Sequence, residues 1–361
     1  MIFLNPRGGL CNRLRVIGSA IKLGVAYDDF IIVFWRKSPE LGCSFEELFE
    51  SVIYNSSKRL IIKNVDYSEA ELIKKIGRKT GDEKIYIDTI ADVEKFQRDY
   101  IYNNGRGQFL LSTCSSFYNF ADKYDWLIPK KEIMEKAEDI VKKFGAYSVG
   151  IHIRRTDHEI SKRFSPVELF VKIADEEVKK NRNVKFYLAT DDMEVKRYFL
   201  ELYGERIIVN LYQVFSRENK NGMESAVIDL YALSKTQKIY GSFWSSFSQT
   251  ASAIGNTKIE YVYTMPMKKL LNKKIVIYGA GNLGQVVYKI YFKLCDIVGW
   301  IDQNYKDISD SICMEILPPI MISKLNFDYI LIAVKKDSIK MEIKQLLLDM
   351  NIDSSKIIDE I

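Results

Sequence analysis

Proline is scarce in this chain, 7 among 361 residues, and histidine scarcer, at 2. With 47% hydrophobic and 28% charged residues, so little proline excludes a disordered or low-complexity protein, because the apolar content suffices for cores throughout. The five cysteines (Cys11, Cys43, Cys114, Cys295 and Cys313) are odd in number and contain no CxxC pair. Neither a disulfide framework nor a thiolate zinc site is expected, and the compartment should be reducing. A strong excess of positive charge is missing too: 53 Lys and Arg against 48 Asp and Glu leave +5, scattered in short pairs such as Lys142-Lys143 and Lys273-Lys274. No nucleic-acid groove is indicated. No segment approaches the ~18 uninterrupted apolar residues of a membrane span, and no basic segment with a long apolar run follows Met1. The chain reads as cytoplasmic, without a transmembrane segment; the slight Lys/Arg excess leaves room for a peripheral contact at the inner face of a membrane.

What is present is an alternation of strand and helix patterns. Apolar residues 2–4 open a strand, Asn5 to Gly9 a turn, and Leu10, Leu14, Ile17 and Ile21 recur at helical spacing before a second strand over 30–35. Residues 85–87 and 109–112 are short strand candidates, and a domain edge is expected over 126–131, where Pro129 interrupts. A second run alternates strands at 148–153, 185–189, 206–210 and 238–240 with helices over 166–180, 193–203 and 224–234. A third places strands at 275–278, 297–301 and 329–334 and helices over 283–294 and 338–350. The pattern predicts an α/β protein with mostly parallel sheets and three domains, 1–130, 131–268 and 273–361.

The stretch Val149-Gly150-Ile151-His152-Ile153-Arg154-Arg155-Thr156-Asp157-His158-Glu159 holds both histidines. On a strand, Val149, Ile151 and Ile153 point to one core while His152 and Arg154 share the other face, near the carboxyl end where parallel sheets bind ligands. A bland reading has Arg154 and Arg155 pairing with Asp157 or a helix end. Further on stand Phe186-Tyr187-Leu188-Ala189-Thr190-Asp191-Asp192, then Val227-Ile228-Asp229-Leu230, then Ser242-Phe243-Trp244-Ser245-Ser246-Phe247-Ser248. Asp191-Asp192 directly precedes a helix, so capping is expected of the pair rather than metal binding. The bland reading of Asp229 is a solvated helix acid, and of Ser245, Ser246 and Ser248 a helix cap.

Taken in order, these segments resemble the fucosyltransferase superfamily with its His-x-Arg-Arg-x-Asp motif, and within it the α1,6-fucosyltransferases, including the bacterial enzymes that modify nodulation factors. Pro6-Arg7-Gly8-Gly9-Leu10-Cys11-Asn12-Arg13-Leu14 is similar to the superfamily's Gly-Gly-Leu-Gly-Asn-Arg-Leu signature, departing at Cys11, where the family usually has Gly. The resemblance spans about residues 3–255 and implies a GT-B-like architecture, two Rossmann-like domains facing a cleft. It implies an inverting transfer of L-fucose, or a related sugar, from GDP-fucose to a glycan or lipid-linked oligosaccharide hydroxyl, with no metal. It carries over Arg154 to the β-phosphate, His152 and Arg155 to the same face, Asp229 to guanine, and Ser245, Ser246 and the Gly8, Gly9, Asn12, Arg13 segment to the GDP-sugar. Glu159 or Asp157 is the expected general base.

Gly279-Ala280-Gly281-Asn282-Leu283-Gly284 follows a strand, precedes a helix and is followed by Asp302 about 20 residues on, which matches the dinucleotide fingerprint. The unit is a short Rossmann-like domain without either histidine, so Gly279, Gly281, Gly284 and Asp302 are read as a second nucleotide loop without redox chemistry, or as purely structural. Two other functions remain open: an NAD-dependent sugar epimerase or dehydrogenase centred on this loop, and a non-catalytic sugar-nucleotide-binding protein.

Overall fold

The computed structural model describes residues 1–50, 60–80, 85–87, 90–118, 124–156, 158–292, 294–306 and 314–359. They divide into two compact units, residues 1–263 and 264–361.

The first unit opens with β1 (Ile2–Pro6), α1 (Leu10–Ala26), β2 (Ile31–Arg36), β3 (Leu60–Val65), α2 (Glu69–Thr80), β4 (Ile85–Ile87), α3 (Ile90–Tyr102) and β5 (Phe109–Thr113). These strands form one parallel sheet in the order β3-β2-β1-β5-β4. Leu10, Leu14, Ile17 and Ile21 of α1 are all buried, as their spacing predicts. Then come α4 (Lys131–Val141), β6 (Ser148–Ile153), α5 (Glu159–Phe164), α6 (Val167–Lys180), β7 (Lys185–Thr190), α7 (Met193–Tyr203), β8 (Ile207–Val209), α8 (Lys220–Ser234), β9 (Lys238–Ser242), α9 (Ser246–Gly255) and β10 (Lys258–Val262). Their sheet has the order β10-β9-β6-β7-β8, also parallel. All six residues of β6 are buried, which suits a central strand covered on both faces.

The first sheet is drawn from residues 1–130 and the second from 131–268, and one apolar core joins them: Leu14 and Ile17 of α1, Val227 and Leu230 of α8 and Ala251 of α9 belong to the same buried cluster. Hydrogen bonds tie the two halves as well, since Gly42 N–H donates to the Arg217 carbonyl at 2.7 Å and the Tyr231 hydroxyl to the Leu127 carbonyl at 2.9 Å.

The second unit contains α10 (Met265–Leu270), β11 (Lys274–Tyr278), α11 (Asn282–Tyr291), β12 (Asp296–Ile301), β13 (Ile316–Leu317), β14 (Tyr329–Ile332), α12 (Asp337–Asp349) and β15 (Ile357–Ile358). Its parallel sheet runs β13-β12-β11-β14-β15, a small Rossmann-like unit. Within the described residues no helix is long and apolar enough to cross a membrane.

Candidate active site

In the second sheet β6 lies between β7 and β9, and the chain reaches β9 only after running out through β7 and β8. The order reverses beside β6, so the carboxyl ends of β6 and β9 flank a topological switch point, where open parallel sheets bind ligands. Register fixes which residues meet there. Ile153 pairs with Thr190 and His152 with Gly241, so Arg154 emerges next to Asp191 on one side and Ser242 on the other.

Asp191 is the centre of this cluster. One carboxylate oxygen accepts from Arg154 Nη1 and from the Thr156 hydroxyl (2.7 Å), with Arg217 Nη2 at 3.7 Å. The other accepts the Arg155 backbone N–H at 2.7 Å. Ser242 Oγ accepts the Arg154 backbone N–H at 2.9 Å, so the main chain of the motif is held from both neighbouring strands. Capping, expected of Asp191-Asp192 together, falls to Asp192 alone, which accepts from the Glu194 and Val195 N–H groups of α7. Sequence reasoning assigns neither Asp191 nor Ser242 to the site. The signal is there nonetheless, because a residue directly after the strand beside β6 must stand beside Arg154.

Arg155 does what the bland reading expects. It is 8% exposed, and its guanidinium donates to the carbonyls of Lys162 and Ser165 at the end of α5, with burial lowering its pKa. His152 is 5% exposed and its ring stacks on Phe247 at 4.8 Å. Burial, reinforced by the Arg154 charge and opposed by Asp191, pulls its pKa down to about 3, so the imidazole is neutral at working pH. Its Nδ1 is buried without a hydrogen-bond partner.

Phe247 sits in the first turn of α9. Ser245 is the N-cap, but its side chain makes no capping hydrogen bond and no acid stands in the first turn, so the N–H groups from Ser246 onward are left for an anion. The turn into α9 puts Trp244 at φ 63°, a left-handed conformation for a large side chain. Ser165 Oγ accepts the Phe243 N–H at 2.8 Å and Ser161 Oγ donates to the Phe243 carbonyl at 2.7 Å, which pins that turn.

From the first sheet, α1 likewise lacks a side-chain cap, its N-cap being Gly9. Gly8 has φ +75°, and a Cβ there would stand 2.9 Å from Asn12 Nδ2. Arg13 is a brace, donating to the carbonyls of Gly8 (2.7 Å) and Arg36 and to Ser38 Oγ (2.8 Å) over the ring of Trp35. Burial lowers its pKa to about 10. Cys11 is buried, and burial raises its thiol to about 12, which makes it a core residue.

Glu159 begins α5, its side chain 83% exposed and paired with Lys162 at 2.9 Å, while Asp157 lies outside the described residues. Asp229 is not a solvated acid: it is 7% exposed on α8 and accepts the Tyr187 hydroxyl at 2.6 Å. Burial raises its pKa to about 6 against an ordinary 3.8. The folded chain therefore holds that proton up to about pH 6 whereas the unfolded chain releases it near 3.8, and stability falls as pH rises through this window. Asp229→Asn removes the buried charge and keeps an acceptor for Tyr187. It is expected to be more stable than the parent by about 1–3 kcal/mol at pH 7–8, with the gain vanishing below about pH 4, in urea titrations across pH.

In the second unit Gly279 has φ +111° and Gly281 caps α11. Gly284 leaves room for the Gly279 carbonyl, which also accepts Trp300 Nε1–H at 2.9 Å. Asp302 is turned onto the loop itself, accepting the N–H groups of Ala280 (2.7 Å) and Asn304 (2.8 Å). Among the described residues no group of three His, Cys, Asp or Glu side chains could hold a metal ion.

A family model described as C2185-like, N-terminal, matches residues 271–358. No curated protein sequence matches the chain. Among solved structures, the NodZ alpha-1,6-fucosyltransferase soaked with GDP-fucose superposes with a TM-score of 0.50 at 15% identity, covering 70% of this chain and 92% of its own. Fucosyltransferase NodZ from Bradyrhizobium gives 0.48 at 14% identity (69% and 92% covered), and a mutant of Arabidopsis thaliana FUT1 in complex with GDP gives 0.49 at 14% (72% and 69%). The first likeness is one of fold. It fits the GT-B-like arrangement of the two parallel sheets of the first unit.

Proposed function

We propose that this chain is a glycosyltransferase that takes GDP-fucose, or a closely related GDP-sugar, and moves the sugar with inversion to a hydroxyl of a glycan or lipid-linked oligosaccharide. The observation that carries the proposal is Arg154, held by Asp191 and Ser242 at the switch point together with the uncapped N-terminus of α9 and the neutral His152 stacked on Phe247. Guanidinium and helix N–H groups suit a diphosphate. The fold shared with a GDP-fucose-soaked fucosyltransferase supports the choice of donor.

In the transfer, the acceptor oxygen bonds to the sugar's anomeric carbon as the bond to the β-phosphate oxygen breaks. The electron pair leaves with GDP, and the acceptor proton passes to a carboxylate. Arg154 and the α9 N–H groups stabilise the charge that develops on the leaving phosphate. Glu159, exposed at the start of α5, and Asp157 are the candidate bases. Asp229 is assigned to guanine. A carboxylate kept short of solvation by burial gains from the N1–H and N2–H donors of that base, so Asp229→Asn, though more stable, should lose GDP affinity while other nucleotides change little.

The decisive assay is donor binding and transfer. Calorimetry should register GDP and neither UDP nor NAD, and transfer from GDP-fucose to a glycan array should persist in excess EDTA, because arginine and backbone N–H groups supply the positive charge. Binding of NAD alone would move the chemistry to the glycine loop of the second unit. Activity that disappears in EDTA and returns with Mn²⁺ would reassign Asp191 and Asp192 as metal ligands.

A further inference from the structure

Residues 211–218, between β8 and α8, run as a strap with a fixed path. Tyr212 N–H donates to Asn210 Oδ1 at 2.8 Å, Gln213 Nε2 to the Thr190 carbonyl at 2.7 Å and Val214 N–H to Ser225 Oγ at 3.2 Å. At its far end the Arg217 carbonyl accepts from Gly42, in the loop after β2 of the other sheet. Two glycines let it pass so closely: a Cβ at Gly42 would collide with the Glu218 carbonyl, and one at Gly222 with the Ser216 carbonyl.

This path delivers Arg217 to the motif cluster. Its Nη2 lies 3.7 Å from the same Asp191 oxygen that holds Arg154 Nη1, and its side chain is 33% exposed. That separation exceeds hydrogen-bond length, so the two share charge without a directional bond. Two guanidinium groups thus converge on one carboxylate. Glu40, whose pKa is lowered chiefly by Ser38, feels both Arg13 and Arg217. A phosphate with several free oxygens matches paired guanidiniums better than one carboxylate does.

We infer that Arg217 is a second donor-binding arginine that grips the β-phosphate together with Arg154, so that the leaving group is clamped by two elements distant in sequence. The inference rests on the GDP-sugar reading of the site. Arg217 lies outside every motif that carries the family resemblance, and its role derives from the strap.

The test compares GDP with GMP, which lacks the β-phosphate, by calorimetry on the full chain and on Arg217→Gln and Arg217→Lys. Arg217→Gln should weaken GDP about ten- to a hundredfold and leave GMP unchanged, with Arg217→Lys between it and the parent. Circular dichroism establishes that each variant is folded; if the glutamine variant is not, the lysine variant carries the comparison, because an ammonium keeps the charge without the guanidinium's several donors. A parent that binds GDP, with variants whose GDP and GMP affinities fall equally or not at all, overturns the role of Arg217 alone. A parent that does not bind GDP overturns the donor reading and this inference with it.

Discussion

Arg154→Ala should lower kcat/KM for sugar transfer by roughly two to three orders of magnitude while the chain stays folded, and Arg154→Lys should lower it nearly as far. One end of the guanidinium is committed to Asp191, and its backbone N–H to Ser242, so the side chain enters the site in one orientation. A planar fork can hold the carboxylate with one nitrogen and a phosphate oxygen with another. A lysine ammonium is a single point that must choose between them. Arg155→Ala should act differently, since that guanidinium serves the carbonyls at the end of α5: its cost should appear more in thermal stability than in turnover. Steady-state kinetics with circular dichroism separates the two, and near-parental turnover in Arg154→Lys would show that the two-pronged contact is not used.

Asp191→Asn is expected to be almost as damaging to transfer and more damaging to the fold. The amide can still accept the Arg155 N–H through its oxygen, but its NH₂ would then face Arg154 Nη1, donor against donor, while the Thr156 hydroxyl would have to turn from donating to accepting. With the carboxylate side chain 23% exposed and that of Arg154 17%, the loss should lie between that of an exposed pair and that of a buried one, about 1–3 kcal/mol in denaturant unfolding. A double-mutant cycle with Arg154→Ala gives the cleaner reading. Strongly non-additive effects on kcat/KM are expected because both residues serve one unit, and simple additivity would detach Asp191 from the arginine.

Where a strand is central, the sequence is explicit. The run Ser148 to Ile153 is wholly buried and is legible as a strand to the residue, and Met193 to Tyr203 is legible as a helix because an acid stands at its cap. Edge elements are less visible: β3 is exposed at half of its residues and β10 is mostly half-buried, so their sequences carry no clean alternation, and β13 and β15 are only two residues long. The helix α4 has Ile133, Ala137 and Ile140 buried at helical spacing, yet Pro129 just before it reads as a boundary rather than a start. In the site, the motif arginines and serines announce themselves by residue type. Their organiser, Asp191, is hidden behind the capping role of its neighbour, and Arg217 cannot be placed without knowing where the strap runs. Spacing along the chain reports neighbours on one strand, whereas these contacts come from register between strands and from a loop that crosses between sheets.

The turn at Trp244 puts the local preferences of the chain in conflict with its fold. A bulky residue held in the left-handed region costs about 1 kcal/mol or more, and the serines at α5 and its C-terminal end that grip Phe243 enforce it. Such local frustration is tolerated when the alternative, a relaxed turn, would aim the first N–H groups of α9 elsewhere. The strain is then borne at folding, so the uncapped N-terminal end of α9 is already aimed in the folded chain, and selection for a more comfortable residue at 244 would be opposed by selection for the aim of the helix behind it.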